Sequence, residues 1–375
     1  MDSLNGGNKM IKDLTRPCIL NRKDYIPGKP VEEVKRELGL TDVLKMASNE
    51  NPFGVSPLAL EAMIFELQNN SSLYPESLCM ELVEKLADNH SVDPTQIFID
   101  NGLDGVITMI GLTFINPQDE VIFGDLTFPA YENITTKMDG ISVTVPMTGN
   151  NCLDLDAFAR AVTPRTKMIF VCNPNNPSGT MNTQEEVERL LASVPSNVLV
   201  ILDEAYYDFV DQPDFPQSLS YMRDYPNLMI LRTFSKVMGL AGLRIGYAIA
   251  SSEIIKVMLK AREPFPVNRI AQAGALASLD DKEFVAKTVT LNAAGREQYY
   301  KAFNEMNLRY YESQTNFVYV ELGKSANNVF EAMLRDGVIV RPLTSQGRPF
   351  AMRISIGTPE QNERTIAVFK KAMCR

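Results

Sequence analysis

From residue 95 to about 250 the chain alternates short apolar runs with amphipathic stretches. The runs Gln96–Ile99, Glu120–Phe123, Ser142–Val145, Met168–Cys172, Val198–Leu202, Leu228–Leu231 and Ile245–Ala250 read as strands. Several are apolar at nearly every position, the pattern of strands buried on both faces rather than on one. Helical stretches such as Asp156–Val162 and Gln184–Ala192 separate many of them. That alternation predicts an α/β fold, a large domain built on a mostly parallel seven-stranded sheet.

The two ends of the chain have a different texture. Val31, Val34 and Leu38 share one face of a short helix that Gly39 stops, and Ser56-Pro57 makes an N-cap and first-turn pair for a helix through about Leu67. Leu78, Leu82 and Leu86 predict a helix from Pro75 to about Asp88, with His90 on the surface beyond it. After about residue 290, strands near Phe317–Leu322 and Met352–Ile356 flank a helix over Ala326–Arg335, and a helix ends the chain. The expected organisation is an N-terminal arm with part of a small domain over 1–50, a large domain over 51–280 and a smaller α+β domain over 281–375.

Composition narrows the function. The 375 residues include 37 Lys and Arg against 46 Asp and Glu, a net charge of −9, which argues against nucleic acid as a partner. A single histidine and five scattered cysteines without a CxxC pair offer no zinc, iron–sulfur or other metal site and leave almost no Ser-His-Asp triad to propose. The start of the chain lacks a signal-peptide core, and no run of 18 apolar residues is present. A cytoplasmic protein with reduced thiols and no membrane contact is expected.

Ligands of α/β sheets bind at the carboxyl ends of the strands, and the unusual residues follow the predicted strands. They are Asp100-Asn101-Gly102-Leu103-Asp104-Gly105, Asn173-Pro174-Asn175-Asn176-Pro177-Ser178-Gly179, Asp203-Glu204-Ala205-Tyr206, and Arg232-Thr233-Phe234-Ser235-Lys236 followed by Gly239 to Tyr247. Each alone has an ordinary reading, as a turn, a cap or a solvated charge. Together they supply a lysine able to form a Schiff base, an aspartate for a pyridinium nitrogen, and an anion cradle. The cradle has a helix opening at 100–105 and the polar groups of Thr233, Ser235 and Arg244. That set is what pyridoxal phosphate needs.

In this order the motifs resemble the class I/II aminotransferases of fold type I, and within them the histidinol-phosphate aminotransferases. Further matching stretches are Tyr25 to Pro30, Ala47 to Gly54, Leu73 to Glu76 and Met352 to Thr358, so the likeness runs from about residue 25 to the end. The resemblance implies pyridoxal 5'-phosphate as cofactor. Lys236 would be the Schiff base and proton carrier, Asp203 the partner of the pyridine nitrogen, and Tyr206 and Asn176 partners of the phenolic oxygen. Phe128 would stack on the ring, while Leu103, Asp104, Thr233, Ser235 and Arg244 hold the phosphate. Tyr74 would reach it from the neighbouring subunit of a homodimer with shared active sites. Arg353 would grip a substrate carboxylate, with Arg341 and Tyr25 at the far end of the substrate, such as a phosphate. The partners are then an amino donor and a 2-oxo acid acceptor. The implied reaction is ping-pong transfer, through pyridoxamine phosphate, between L-histidinol phosphate and 2-oxoglutarate. An aromatic amino acid aminotransferase, or a decarboxylase or oxidase on the same scaffold, is the alternative. The phosphate loop departs from the family pattern: Leu103 offers no hydroxyl, and Gly105 stands in place of an acidic residue.

Overall fold

The computed structural model describes residues 11–20 and 30–374. Seven strands form the large sheet: β1 (Ile97–Asp100), β2 (Glu120–Gly124), β3 (Ile141–Val145), β4 (Thr166–Cys172), β5 (Leu199–Asp203), β6 (Leu228–Thr233) and β7 (Gly246–Ala250). Their spatial order is β1-β7-β6-β5-β4-β2-β3. All neighbours run parallel except β7, which is antiparallel to both β1 and β6.

Both faces of this sheet are buried, and the alternation of side chains divides each strand between two cores. Ile169 and Val171 of β4 join one core, while Met168, Phe170 and Cys172 join the other. In β5, Val200 and Leu202 split from Leu199 and Ile201 in the same way. This explains why the runs are apolar throughout.

A second, three-stranded antiparallel sheet comprises β8 (Phe317–Glu321), β9 (Arg341–Pro342) and β10 (Ala351–Ser355), with β10 in the middle. Its own core includes Val318, Val320, Met352 and Ile354 with Tyr299, Phe303 and Phe369 from the helices Lys282–Glu305 and Pro359–Met373. The N-terminal segment joins this part of the molecule, because Leu44–Lys45 pairs in parallel with Val338–Ile339.

Two sequence expectations need correction. The helix expected from Pro75 begins at Met80 and ends at His90, with Cys79 at φ 54 as its N-cap. The backbone thus turns left-handed just ahead of the helix, where three in-register leucines had suggested a longer one. His90 is half-buried rather than a surface residue: its Nε2 lies 2.9 Å from Tyr247 Oη, and the two rings stack at 5.8 Å. Burial, reinforced by the positive charge of Arg232, pushes its imidazole down to about 4. The N-cap expectation at Ser56 holds, with its hydroxyl accepting from the Ala59 N–H at 3.2 Å and Pro57 in the first turn.

Candidate active site

One cavity of about 800 Å³ opens at the carboxyl ends of β4, β5 and β6. Its wall contains Leu103, Asp104, Phe128, Asn176, Asp203, Tyr206, Thr233, Ser235, Lys236, Arg244, Arg341 and Arg353. These are all the residues expected from the sequence except two. Tyr25 lies outside the described residues. Tyr74 lies away from the cavity, 78% exposed and stacked on Phe265 at 4.8 Å.

At one end, β1 stops at Asp100 and the helix Gly102–Phe114 begins. The free N–H groups and dipole of its first turn favour an anion there. This loop is packed without slack. A Cβ on Gly102, whose φ is +70°, would lie 2.5 Å from Arg244 Nη2, and one on Gly246 would lie 2.9 Å from the Leu103 nitrogen. A Cβ on Gly105 would lie 2.6 Å from Asp100 Oδ1, so the glycine that departs from the family pattern makes room for the Asp100 carboxylate. Arg244 sits at φ 55, a strained conformation for a side-chain-bearing residue, and pairs with Asp104 Oδ2 at 3.0 Å. Thr233 and Ser235 line the same cavity, with Thr233 Oγ1 accepting the Ser235 N–H at 3.1 Å.

Lys236 lies between the two ends, its Nζ 5.4 Å from the ring centroid of Tyr206. Burial, followed by the charges of Arg353 and Arg244, lowers its ammonium to about 8. Asp203 ends β5 and is buried. Its Oδ2 accepts from Tyr131 Oη at 2.6 Å and its Oδ1 from the Ala205 N–H at 3.1 Å. Burial raises its carboxyl to about 6 against those two hydrogen bonds, and no cation pairs with it among the described residues. A buried carboxylate without a cation, on the wall of a cavity, is suited to a cationic ring nitrogen.

Tyr131 was missed by sequence reasoning. It lies in the helix Ala130–Lys137, stacked on Phe170 at 4.4 Å and edge-on to Phe128 at 5.7 Å. No local signal marks it, since its partner is 72 positions away.

Arg353 in β10 donates from Nη1 to Asn176 Oδ1 and from Nη2 to the Ala47 carbonyl, both at 2.6 Å. With its Oδ1 engaged, Asn176 has its amide N–H groups left to donate. The loop that carries it is fixed by Asn175, whose Nδ2 donates to the Leu126 carbonyl and to Ser178 Oγ. At the far end of the cavity Arg341 stands directly opposite Arg353 in the β9–β10 register. Arg341 has no carboxylate partner among the described residues.

The donor set fits pyridoxal phosphate. The glycine-packed loop and Arg244 suit its phosphate, the cation-free Asp203 its ring nitrogen, and the depressed lysine its aldehyde. The fold and this set of groups define a pyridoxal-phosphate enzyme of fold type I. A family model for aminotransferase class I and II matches residues 41–369, and the chain belongs to that family. Over nearly its whole length it is similar to histidinol-phosphate aminotransferases. It is 45% identical to that of Moorella thermoacetica over 96% of this chain and 92% of the relative. It is 45% identical to that of Brevibacillus brevis over 94% of this chain and 96% of the relative. The solved structure of the enzyme from Sinorhizobium meliloti, in complex with pyridoxal-5'-phosphate, superposes with a TM-score of 0.88 at 26% identity, covering 96% of this chain and 97% of that one. The protein is therefore a pyridoxal-phosphate-dependent aminotransferase.

Proposed function

We propose that this enzyme moves an amino group between L-histidinol phosphate and 2-oxoglutarate, in both directions, as a cytoplasmic homodimer. The observation that carries the reading is the Arg341–Arg353 pair, directly opposite each other with both side chains in one cavity. Like charges in that relation repel. An anionic substrate relieves the repulsion, and guanidinium forks match phosphate and carboxylate geometry.

Pyridoxal phosphate, when bound, supplies the electron sink that stabilises negative charge at the amino-bearing carbon. The chain does the rest. Lys236 would take the proton from that carbon and hand it to the carbon that was the cofactor's aldehyde, and an amine titrating near 8 exchanges protons readily close to neutral pH. Asp203 holds the ring nitrogen protonated, and Tyr131 holds Asp203. Tyr206 and Asn176 hydrogen-bond the phenolic oxygen, and Phe128 packs on the ring. Arg244, Thr233, Ser235 and the amides of Leu103 and Asp104 bind the phosphate. Arg353 takes the carboxylate of glutamate or 2-oxoglutarate, while Arg341, helped by Tyr25, takes the phosphate of the other substrate. Tyr74 completes the site of a neighbouring subunit. The same reading divides the chain at about residues 50 and 280, supported by the separate core around β8–β10.

A single-turnover half-reaction tests this. L-histidinol phosphate added to the loaded enzyme without a 2-oxo acid is expected to bleach the visible band, with no carbon dioxide released and no oxygen consumed. Conversion by phenylalanine or tyrosine but not by histidinol phosphate overturns the substrate and keeps the transaminase.

A further inference from the structure

Asn49 is 1% exposed and lies against the catalytic tyrosine, yet nothing in the reaction described above uses it. Its hydrogen bonds have a fixed direction. The Asn49 N–H donates to Ser355 Oγ at 2.9 Å, so the Ser355 proton is free to go elsewhere, and it goes to Asn49 Oδ1 at 2.9 Å. With its oxygen engaged, the amide presents Nδ2, which donates to Tyr206 Oη at 3.0 Å. Asn316 Nδ2 fixes the Asn49 backbone by donating to its carbonyl at 2.9 Å.

A tyrosine hydroxyl has one proton. Asn49 fills the acceptor side of Tyr206 and, with its own oxygen held by Ser355, cannot turn to accept from it. No protein acceptor for the Tyr206 proton is present among the described residues. Burial raises the phenol well above its usual value, so the proton stays on at neutral pH. We propose that Asn49, locked by Ser355, is a positioning residue that compels Tyr206 to donate its proton into the cavity, toward the phenolic oxygen of pyridoxal phosphate. The proposal rests on the placing of Tyr206 beside that oxygen.

The readout is the pH midpoint of the visible band of the loaded protein. A donor to the phenolic oxygen favours its ionised form, so loss of the donor moves the midpoint up. Tyr206→Phe is expected to raise it by about half to one pH unit, the size of one net hydrogen bond. Asn49→Gly removes the amide while tolerating the φ of 57°. It is expected to raise the midpoint by a similar amount and to add nothing in the Tyr206→Phe background. Ser355→Ala, which unlocks the amide, is expected to give a smaller rise, and it decides the matter if Asn49→Gly does not load. An unmoved midpoint in Asn49→Gly and Ser355→Ala, beside a shifted Tyr206→Phe, overturns the role of Asn49 alone. So does an Asn49→Gly shift that persists undiminished in the Tyr206→Phe background. An unmoved Tyr206→Phe overturns both this proposal and the placing of Tyr206.

Discussion

The phenolic hydroxyl of Tyr131 donates to Asp203 Oδ2 at 2.6 Å, from a ring held between Phe170 and Phe128. The hydrogen bond favours the carboxylate over the acid, against the burial that raises Asp203 to about 6. Tyr131→Phe keeps the ring and its stacking but removes the donor. Asp203 then moves further up and holds a ring nitrogen proton less firmly. The expected result is a half-reaction slowed about tenfold, the worth of one charge-assisted hydrogen bond at the low end. Asp203→Asn, which removes the charge itself, is expected to slow the same step by orders of magnitude while leaving cofactor binding largely intact. Stopped-flow absorbance measures both, and near-normal rates in Asp203→Asn refute the assignment of Asp203.

Lys236 titrates near 8 in the folded, cofactor-free protein and at its ordinary 10.5 in the unfolded chain. Between those values the unfolded state binds more protons, so stability rises with pH across that window. Below pH 8 the penalty for holding a buried ammonium is present in full. Lys236→Met is therefore expected to make the cofactor-free protein more stable at pH 7, by at most about 3 kcal/mol. That gain shrinks as pH rises toward 10.5. Denaturant unfolding of both proteins at pH 7 and pH 9.5 checks it; an equal difference at the two pH values counts against the depressed lysine.

On the proposed reading, Arg341 and Arg353 answer to different parts of the substrates. Arg341→Gln is expected to raise KM for histidinol phosphate by about 10- to 100-fold, the worth of charged hydrogen bonds to an anion, and to spare unphosphorylated aromatic amines. Arg353→Gln is expected to impair glutamate as well and to loosen Asn176, its hydrogen-bond partner at 2.6 Å. Equal losses toward phosphorylated and unphosphorylated donors in Arg341→Gln would rule out the phosphate role.

In the proposed phosphate loop, a methyl group added at Gly102 would have to displace the Arg244 guanidinium. Gly102→Ala strains a φ of +70° and drives its Cβ to within 2.5 Å of the guanidinium. Cofactor affinity is expected to fall about tenfold or more, with activity recovered at high pyridoxal phosphate concentration. A titration of the visible band measures the affinity, and an unchanged value removes the loop from the cofactor site.

How much of this was legible in the sequence follows from where each signal lies. The strands could be read because burial on both faces leaves runs such as Ile169–Val171 and Val200–Leu202 apolar throughout. Leu103, Asp104, Asn176, Tyr206, Ser235 and Lys236 could be read because they come shortly after such a strand, whereas Arg341 and Arg353, inside β9 and β10, were marked only by the family resemblance. Tyr131, Asn49 and His90 could not. Tyr131 and His90 sit within helices and Asn49 in a polar segment, and each acquires meaning from a partner more than 70 positions away: Asp203, Tyr206 and Tyr247. The start of the helix at Met80 was misplaced because in-register leucines continue into the turn before Cys79. Periodicity marks a face and not where the backbone breaks.

The helix Pro57–Asn69 leaves an apolar face uncovered, including Leu58, Leu60, Phe65 and Leu67, with Leu73 and Tyr74 just beyond it. Its opposite side is buried, since Met63 packs into the space left by Gly274 in the helix Arg269–Ser278. Exposed apolar side chains gathered along one side of a helix favour burial against another surface, which the proposed homodimer would supply. Tyr74 is stacked on Phe265 at 4.8 Å and does not line the cavity of its own chain. On the proposed homodimer reading, this face is where the second copy sits and Tyr74 reaches that copy's phosphate. Sedimentation equilibrium is expected to give twice the 41.9 kDa chain mass. Phe65→Asp, which places a charge in the patch, is expected to yield monomers that bind pyridoxal phosphate about tenfold more weakly or worse, as a site that loses a phosphate hydrogen bond should. Tyr74→Phe is expected to remain dimeric and to lose several-fold in cofactor affinity through the missing hydroxyl alone. A wild-type monomer with full cofactor affinity, or a Tyr74→Phe dimer with unchanged affinity, would remove the shared site while leaving the chemistry at Lys236 untouched.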